Sequence, residues 1–469
     1  MSRFLGSKMT EKNTSEPSVF VPIHVTSVEI GAPLNDLTAQ NDRRLAGCGL
    51  AWVLVRLHGQ PLGMVQVNVR ADAIRAEDLA QAIWHNLAGQ INAYLAEKNL
   101  TAVKELGVSG LPVQSCVLET QPREEPFVSI VIATRDRVDS LRECIQSISA
   151  LDYSNYEIVV VDNASRTLAT KEYVLAESAR NPKIRYLRED IPGLAVAHNR
   201  ALLDVRAPIV AFTDDDVVVE RLWLRTLVSH FQRDPRVGCV TGMILPYEIV
   251  TPPQLWIEQY GGFSKGCKTK VFDLDENHPG DILFPYSAGK FGSGANMAFR
   301  TASLIARGGF DPSLGAGTPA MGGDDLAAFF DVICSGERLV YEPGAILYHK
   351  HRREYPGLAR QAYGYGVGLA AFLTRTIYDC PARLWEILPK VSAGLHHMLD
   401  PRSPKNQKKQ ANYPKELTAL ELKGFFVGPW AYLRSRWRTS RLKVQIPRVN
   451  HAMMSNSQRN HPTAYQQGS

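Results

Sequence analysis

Between residues 128 and 219, short and fully apolar runs alternate with amphipathic segments. VSIVIA (128–133) ends in Thr-Arg-Asp-Arg, and EIVVVDNAS (157–165) ends in small polar residues. KIRYLRED occupies 183–190, and PIVAFTDDDVVV (208–219) carries three consecutive aspartates. Between the first two runs, Leu141, Ile145 and Ile148 recur on one face of a stretch from about 138 to 150, and LAVAHNRALLDV (194–205) reads as a further helix. Strands alternating with helices predict βαβ units and a mostly parallel sheet buried on both faces.

Upstream the pattern differs. AWVLVRLHGQPLGMVQVNV (51–69) alternates apolar residues around a Gly-Gln-Pro break, which predicts a hairpin. Leu79, Ile83, Leu87, Ile91 and Leu95 then recur every four residues, widened by Trp84 and Tyr94, and predict a helix with one buried face. The expected organisation is a polar, disordered start (1–17), a small α+β domain (18–100) and a Pro-rich linker (101–125). An α/β domain (126–375), a basic helical and amphipathic region (376–445) and a disordered tail (446–469) follow.

Composition narrows the class. The 469 residues are 45% hydrophobic and 21% charged, which fits a globular protein and excludes a fibrous or mainly disordered one. Fifty-three Lys and Arg against 47 Asp and Glu leave only +6, so no dedicated nucleic-acid binder is implied. Seven scattered cysteines form no C-x-x-C pair, which argues for reduced thiols rather than zinc or disulfides. The N-terminal residues lack an apolar signal core, and no run of 18 apolar residues occurs, so a cytoplasmic location is expected. Residues 402–443 hold eleven Lys or Arg against two Glu, interleaved with Phe425, Phe426, Trp430, Tyr432, Leu433 and Trp437. Aromatics flanked by cations fit peripheral contact with the cytoplasmic membrane face; packing on the body of the protein is the alternative.

In open α/β sheets, ligands bind outside the carboxyl ends of the strands. Those ends here are Thr134-Arg135-Asp136, Asp162-Asn163 and Asp214-Asp215-Asp216. No G-x-G-x-x-G and no phosphate loop accompanies them, so neither a dinucleotide fold nor a P-loop enzyme is supported. Crowded carboxylates repel, and a divalent cation such as Mn²⁺ or Mg²⁺ removes that cost. Asp162 suits a nucleobase or ribose contact, or an Asx turn.

These stretches together resemble the inverting family-2 glycosyltransferases, whose GT-A fold is a mostly parallel sheet flanked by helices. The resemblance runs over about residues 127–375. It implies that Thr134, Arg135 and Asp162 contact a nucleotide-diphosphate sugar, that Asp214 and Asp215 flank it, and that Asp214 and Asp216 form a D-x-D motif with Asp216 on the metal. Gly193, Ala197 and Asn199 fit the family's Gly-x-x-x-Ala-Arg-Asn, with His198 where Arg is usual and Arg200 two residues on. Gly294 and Asn296 resemble the segment beneath the donor sugar. Asp325 matches the catalytic base, with Asp324 beside it where Glu is usual. His349, after the strand AILYH, is the candidate further metal ligand. Arg352, Arg353 and Arg360 could grip a diphosphate. The acceptor is expected to be a saccharide or a lipid-linked molecule. The segment after residue 349 lacks the Gln-x-x-Arg-Trp motif of processive synthases. A sugar nucleotidyltransferase and a non-catalytic nucleotide-sugar-binding module are the competing classes.

Overall fold

The computed structural model describes residues 20–111 and 125–447. The expected disordered start, most of the expected linker and all but the first two residues of the expected tail lie outside these residues.

The N-terminal unit contains β1 (Ile23–Glu29), β2 (Leu37–Thr38), β3 (Leu50–Leu57), β4 (Gln60–Asn68), β5 (Ala73–Ile74) and α1 (Ala76–Glu97). The hairpin turns at His58-Gly59, both with positive φ (54° and 76°), as a tight two-residue connection requires. β1 pairs parallel to β3, and β3 antiparallel to β4. The four-residue apolar stripe of α1 is buried, Leu79 to Leu95, in a cluster shared with Val53, Val55 and Val65.

The second unit is a nine-stranded sheet in the order β10-β14-β11-β13-β9-β6-β7-β8, with β12 beside β14. Its first half comprises β6 (Val128–Thr134), α2 (Val138–Ser149), β7 (Tyr156–Asn163), α3 (Ala169–Arg180), β8 (Ile184–Glu189), α4 (Leu194–Leu202) and β9 (Ile209–Asp214). These four strands run parallel. Then come β10 (Val217–Val219), α5 (Trp223–Arg233), β11 (Val237–Pro246), α6 (Pro252–Tyr260), β12 (Lys270–Phe272), β13 (Asn296–Arg300), α7 (Thr301–Ala306), α8 (Asp324–Cys334) and β14 (Arg338–His349). Successive side chains of a strand point to opposite faces. Val131, Val159 and Val161 thus enter one core with α4 and α8, while Ile130, Ile132, Ile158 and Val160 enter another with α2 and α5. Burial on both faces is why these strands read as continuous apolar runs. This is the α/β sheet flanked by helices expected from the sequence, but mixed rather than mostly parallel: four of its eight strand pairings are parallel and four antiparallel.

The chain ends in helices: α9 (Tyr355–Asp379), α10 (Arg383–Ile387), α11 (Val391–Leu399) and α12 (Lys415–Arg441). α12 lies against α9 through glycines. A Cβ on Gly366 would collide with the Glu421 carbonyl, and one on Gly424 with that of Tyr363. Tyr432 is fully buried and its hydroxyl donates to Asp311 at 3.2 Å. The basic C-terminal region is therefore docked on the α/β body, while Phe426, Trp430 and Trp437 stay 75%, 71% and 58% exposed. Among the described residues, no helix is long and apolar enough to cross a membrane.

Candidate active site

Sheet register assembles the site. Thr134 at the end of β6 pairs with Asp162 on β7, and its neighbour Ala133 pairs with Asp214 on β9. Across the sheet, His349 at the end of β14 pairs with Val217, the residue after Asp216. The Lys350 N–H donates to the Asp216 carbonyl at 2.9 Å. A histidine 133 positions later in sequence thus faces the aspartate run, its Nε2 lying 3.3 Å from Asp216 Oδ1.

Asp214, Asp216 and His349 offer ligand atoms that all lie within 4.8 Å of one another. Two carboxylates and an imidazole are a donor set that suits Mn²⁺ or Mg²⁺. Asp215 turns the other way: its Oδ2 accepts from Thr134 Oγ1 at 2.7 Å and its Oδ1 from Arg137 Nη1 at 2.6 Å. Arg137 also reaches Asp216 Oδ2 at 3.1 Å. Burial, then repulsion from Asp216, pushes Asp214 up to about 7. Burial also raises Asp215, against the pull of Arg137. For Asp216, burial is outweighed by the attraction of His349 and Arg137, which holds it well below the usual carboxylate range. The same attraction raises His349 despite its burial. His349 Nδ1 lies 3.1 Å from His351 Nδ1, and His351 Nε2 lies 2.8 Å from Glu258 Oε1. Phe263 covers both rings, at 5.4 and 5.6 Å between centroids.

A cavity of about 1670 Å³ joins this cluster to the start of α8. Gly323 begins that helix with φ 87°, a conformation glycine adopts freely. Asp324 and Asp325 follow. Asp325 Oδ2 accepts the Gly294 N–H at 2.9 Å, and its Oδ1 accepts the Leu326 N–H at 2.8 Å. A Cβ on Gly294 would come within 3.2 Å of Asp325 Cβ, so glycine lets this loop approach the carboxylate. Burial raises Asp325, opposed by those backbone donors. Burial, then repulsion from Asp325, takes Asp324 up to about 7. Lys265 also lines the cavity, brought down to about 8 by burial, against the attraction of Asp325 and Glu258.

The cavity wall includes Thr134, Arg135, Asp214, Asp215, Asp216 and Gly294 among the expected donor and metal residues, with Asp324, Asp325 and His349. Four expected donor residues are elsewhere. Asp162 lies behind the wall, its Oδ2 accepting from Tyr186 at 2.8 Å and Arg188 at 3.0 Å, while its buried Oδ1 has no partner among the described residues. Asn163 takes its place on the wall. Gly193 donates its N–H to Asn163 Oδ1 at 3.0 Å and so supports that wall from behind. Asn199 is fully buried, its amide closing two hydrogen bonds on the Phe310 backbone at 2.7 and 2.9 Å. Asn296 donates to the Met243 and Ala345 carbonyls and accepts from Trp223 Nε1. Both amides satisfy buried polar groups, and neither is free for a donor. His198 is no cation either. Burial takes it down to about 3, with its ring centroid 4.7 Å from that of Phe212 and 5.0 Å from that of Phe310. The expected diphosphate residues Arg352 and Arg360 do line the cavity; Arg353 instead pairs with Glu248 at 2.7 Å. Arg137 and Lys265 escaped the sequence reading. Arg137 had one visible signal, its place in the polar turn after an apolar strand.

Residues 129–304 match the family model described as glycosyl transferase family 2. A pre-mycofactocin glycosyltransferase of Mycobacterium tuberculosis is 28% identical over 254 residues, covering 53% of this chain and 48% of the relative. The matched stretch thus spans about half of that relative's length. A glucosyl-dolichyl phosphate glucuronosyltransferase of Haloferax volcanii is 22% identical over 51% of this chain and 75% of its own. Among solved structures, a mannosyltransferase of Pyrobaculum calidifontis in complex with GDP-Man and Mn²⁺ aligns over 72% of this chain and 81% of its own, at 19% identity and a TM-score of 0.40.

The cluster's charge state gives a pH dependence. A metal held by this cluster would require Asp214 and His349 without their protons, and both are held protonated to higher pH than usual. With Asp214 titrating near 7, Mn²⁺ affinity should rise at least about tenfold between pH 6 and pH 8, with proton release seen by calorimetry in buffers of different ionisation enthalpy. Affinity flat across that range would contradict the assignment.

Proposed function

We propose that the chain transfers a sugar from a nucleotide-diphosphate sugar to an acceptor hydroxyl in a single inverting, metal-assisted displacement. One observation carries the reading: a single cavity has Asp214, Asp216 and His349 on one wall and Asp325 on another. The names of the mycobacterial and haloarchaeal relatives, both glycosyltransferases, support the reaction class.

In this reading Asp214, Asp216 and His349 hold Mn²⁺ or Mg²⁺, which when bound stabilises the charge growing on the departing diphosphate. Arg352, Arg360 and Lys265 face the same cavity and add positive charge to it. Arg135 and Asn163, on the same cavity wall, would contact the nucleoside. Asp325 is held by the Gly294 N–H and takes the acceptor proton as the acceptor oxygen bonds to the anomeric carbon. The bond from that carbon to the diphosphate oxygen breaks, and its electron pair leaves with the nucleoside diphosphate. A raised Asp325 makes a stronger base than an ordinary aspartate. Asp324 shares the burial and sits within repulsive range of it. No side chain is needed as a nucleophile, so one displacement inverts the sugar.

Asp325→Asn keeps shape and loses basicity. Transfer should fall at least about 10²-fold while Mn²⁺-dependent nucleotide binding stays intact, as measured by product formation and calorimetry on one sample. An inactive Asp324→Asn beside an active Asp325→Asn would reverse the two roles.

The reading extends to where the enzyme works. Phe426, Trp430, Leu433 and Trp437 are exposed at helical spacing on α12, beside Arg434, Arg436, Arg438 and Arg441. That pattern fits peripheral attachment to an anionic membrane surface. Full-length protein should co-sediment with anionic vesicles at low salt and be largely released at high salt. A Trp430→Ser, Trp437→Ser double variant that sediments like the parent would remove the membrane role from this helix.

A further inference from the structure

The site cavity continues well past the carboxylates. Beyond Asp325 and Leu326 its lining changes character, to Leu369 and Leu373 of α9, Ile387 of α10, and Val391, Leu395 and Met398 of α11. α12 contributes Phe425, the neighbour of the outward-facing Phe426. These helices follow the sheet in sequence, and the matched family segment ends at residue 304. Together they build an arm of the cavity that lies outside that segment. It is apolar along its walls, and its charged side chains already have partners: Lys290 pairs with Asp281, Lys405 with Glu421, and Lys390 donates to the Ile282 carbonyl, while burial lowers His397. Val391 and Leu395 line it while remaining 47% and 36% exposed. The arm thus opens to the outside through apolar side chains.

A sugar hydroxyl alone gains nothing from such walls. Apolar surface stabilises a ligand only by removing apolar surface from water. We infer that the acceptor carries an extended alkyl or isoprenoid chain, which lies in the arm between α9, α11 and α12 and brings its hydroxyl to Asp325. The inference rests on the glycosyl-transfer reading and adds the chemical class of its acceptor. The exposed mouth fits a molecule drawn from an apolar surface rather than from bulk water.

The test uses full-length protein and calorimetry with three probes sharing one head group: dodecyl phosphate below its micelle concentration, phenyl phosphate and methyl phosphate. Each buried methylene adds roughly fourfold in affinity, so burial of a few gives at least about 30-fold for dodecyl over methyl phosphate, with one site per chain. Leu395→Glu puts a charge at the partly exposed mouth and should weaken dodecyl phosphate at least about tenfold, leaving Mn²⁺-dependent UDP or GDP binding unchanged. Equal affinity for the dodecyl and methyl probes would overturn the proposal. So would phenyl phosphate binding as tightly as dodecyl phosphate, which would assign the arm to a compact aromatic group. Weakening by Trp430→Ser with none by Leu395→Glu would move the chain to the outer face of α12 and overturn it as well. Absence of Mn²⁺-dependent UDP and GDP binding in the parent would instead overturn the glycosyl-transfer reading, whatever the alkyl probe does.

Discussion

Three consecutive carboxylates crowded at one strand end, Asp215 and Asp216 buried and Asp214 partly so, are the constraint around which the site is organised. Like charges in a low-dielectric surrounding raise one another's pKa, and the chain answers with three partners from distant elements. Thr134 and Arg137 come from the end of β6 and the turn into α2, and His349 from the end of β14. Each answer fixes a position. Arg137 and Thr134 draw Asp215 away from the cluster of Asp214, Asp216 and His349. His349 keeps Asp216 ionised, while Asp214 remains the group that exchanges its proton near neutrality. The parallel pairing of β6 with β7 and β9, and of β11 with β14, delivers these groups to one edge.

The second carboxylate pair answers the same physics differently. Asp324 and Asp325 open α8, where free backbone N–H groups and the helix dipole favour negative charge. Burial still raises both. A carboxylate that is held by a backbone N–H, opposite a metal-type cluster, and more basic than usual is matched to removing a proton from a hydroxyl. The two acidic sites serve different ends: one can lose its excess charge to a cation, and the other keeps a proton affinity useful near neutral pH.

Much of this was legible in the sequence, because buried parallel strands write themselves as apolar runs with polar ends. The Asp214–Asp216 run stood out for that reason; Asp324-Asp325, at the start of α8, were reached through the family resemblance. Asn199 and Asn296 misled because motif spacing records that an amide is needed, not what it binds; here both bind buried backbone or indole groups. Arg137 was obscured by its neighbour Arg135. The choice between them depends on the turn at Asp136, whose φ of 54° no local pattern announces. Lys265 sits in a connection between α6 and β12 with no periodicity to read. The C-terminal aromatics split between inside and outside, Phe425 and Tyr432 in, Phe426 and Trp430 out. The glycine contacts that dock α12 on α9 decide that split, and they are tertiary facts.

The central claim is that Asp214, Asp216 and His349 form one metal site. Pulsed electron paramagnetic resonance on the Mn²⁺-loaded full-length protein tests it directly, because a coordinated imidazole imprints a nitrogen modulation on the manganese echo. The account predicts one Mn²⁺ per chain with that modulation, its loss in His349→Gln, and loss of the bound ion in Asp216→Ala. The same nitrogen signal in parent and His349→Gln, or full Mn²⁺ binding by Asp216→Ala, would contradict it.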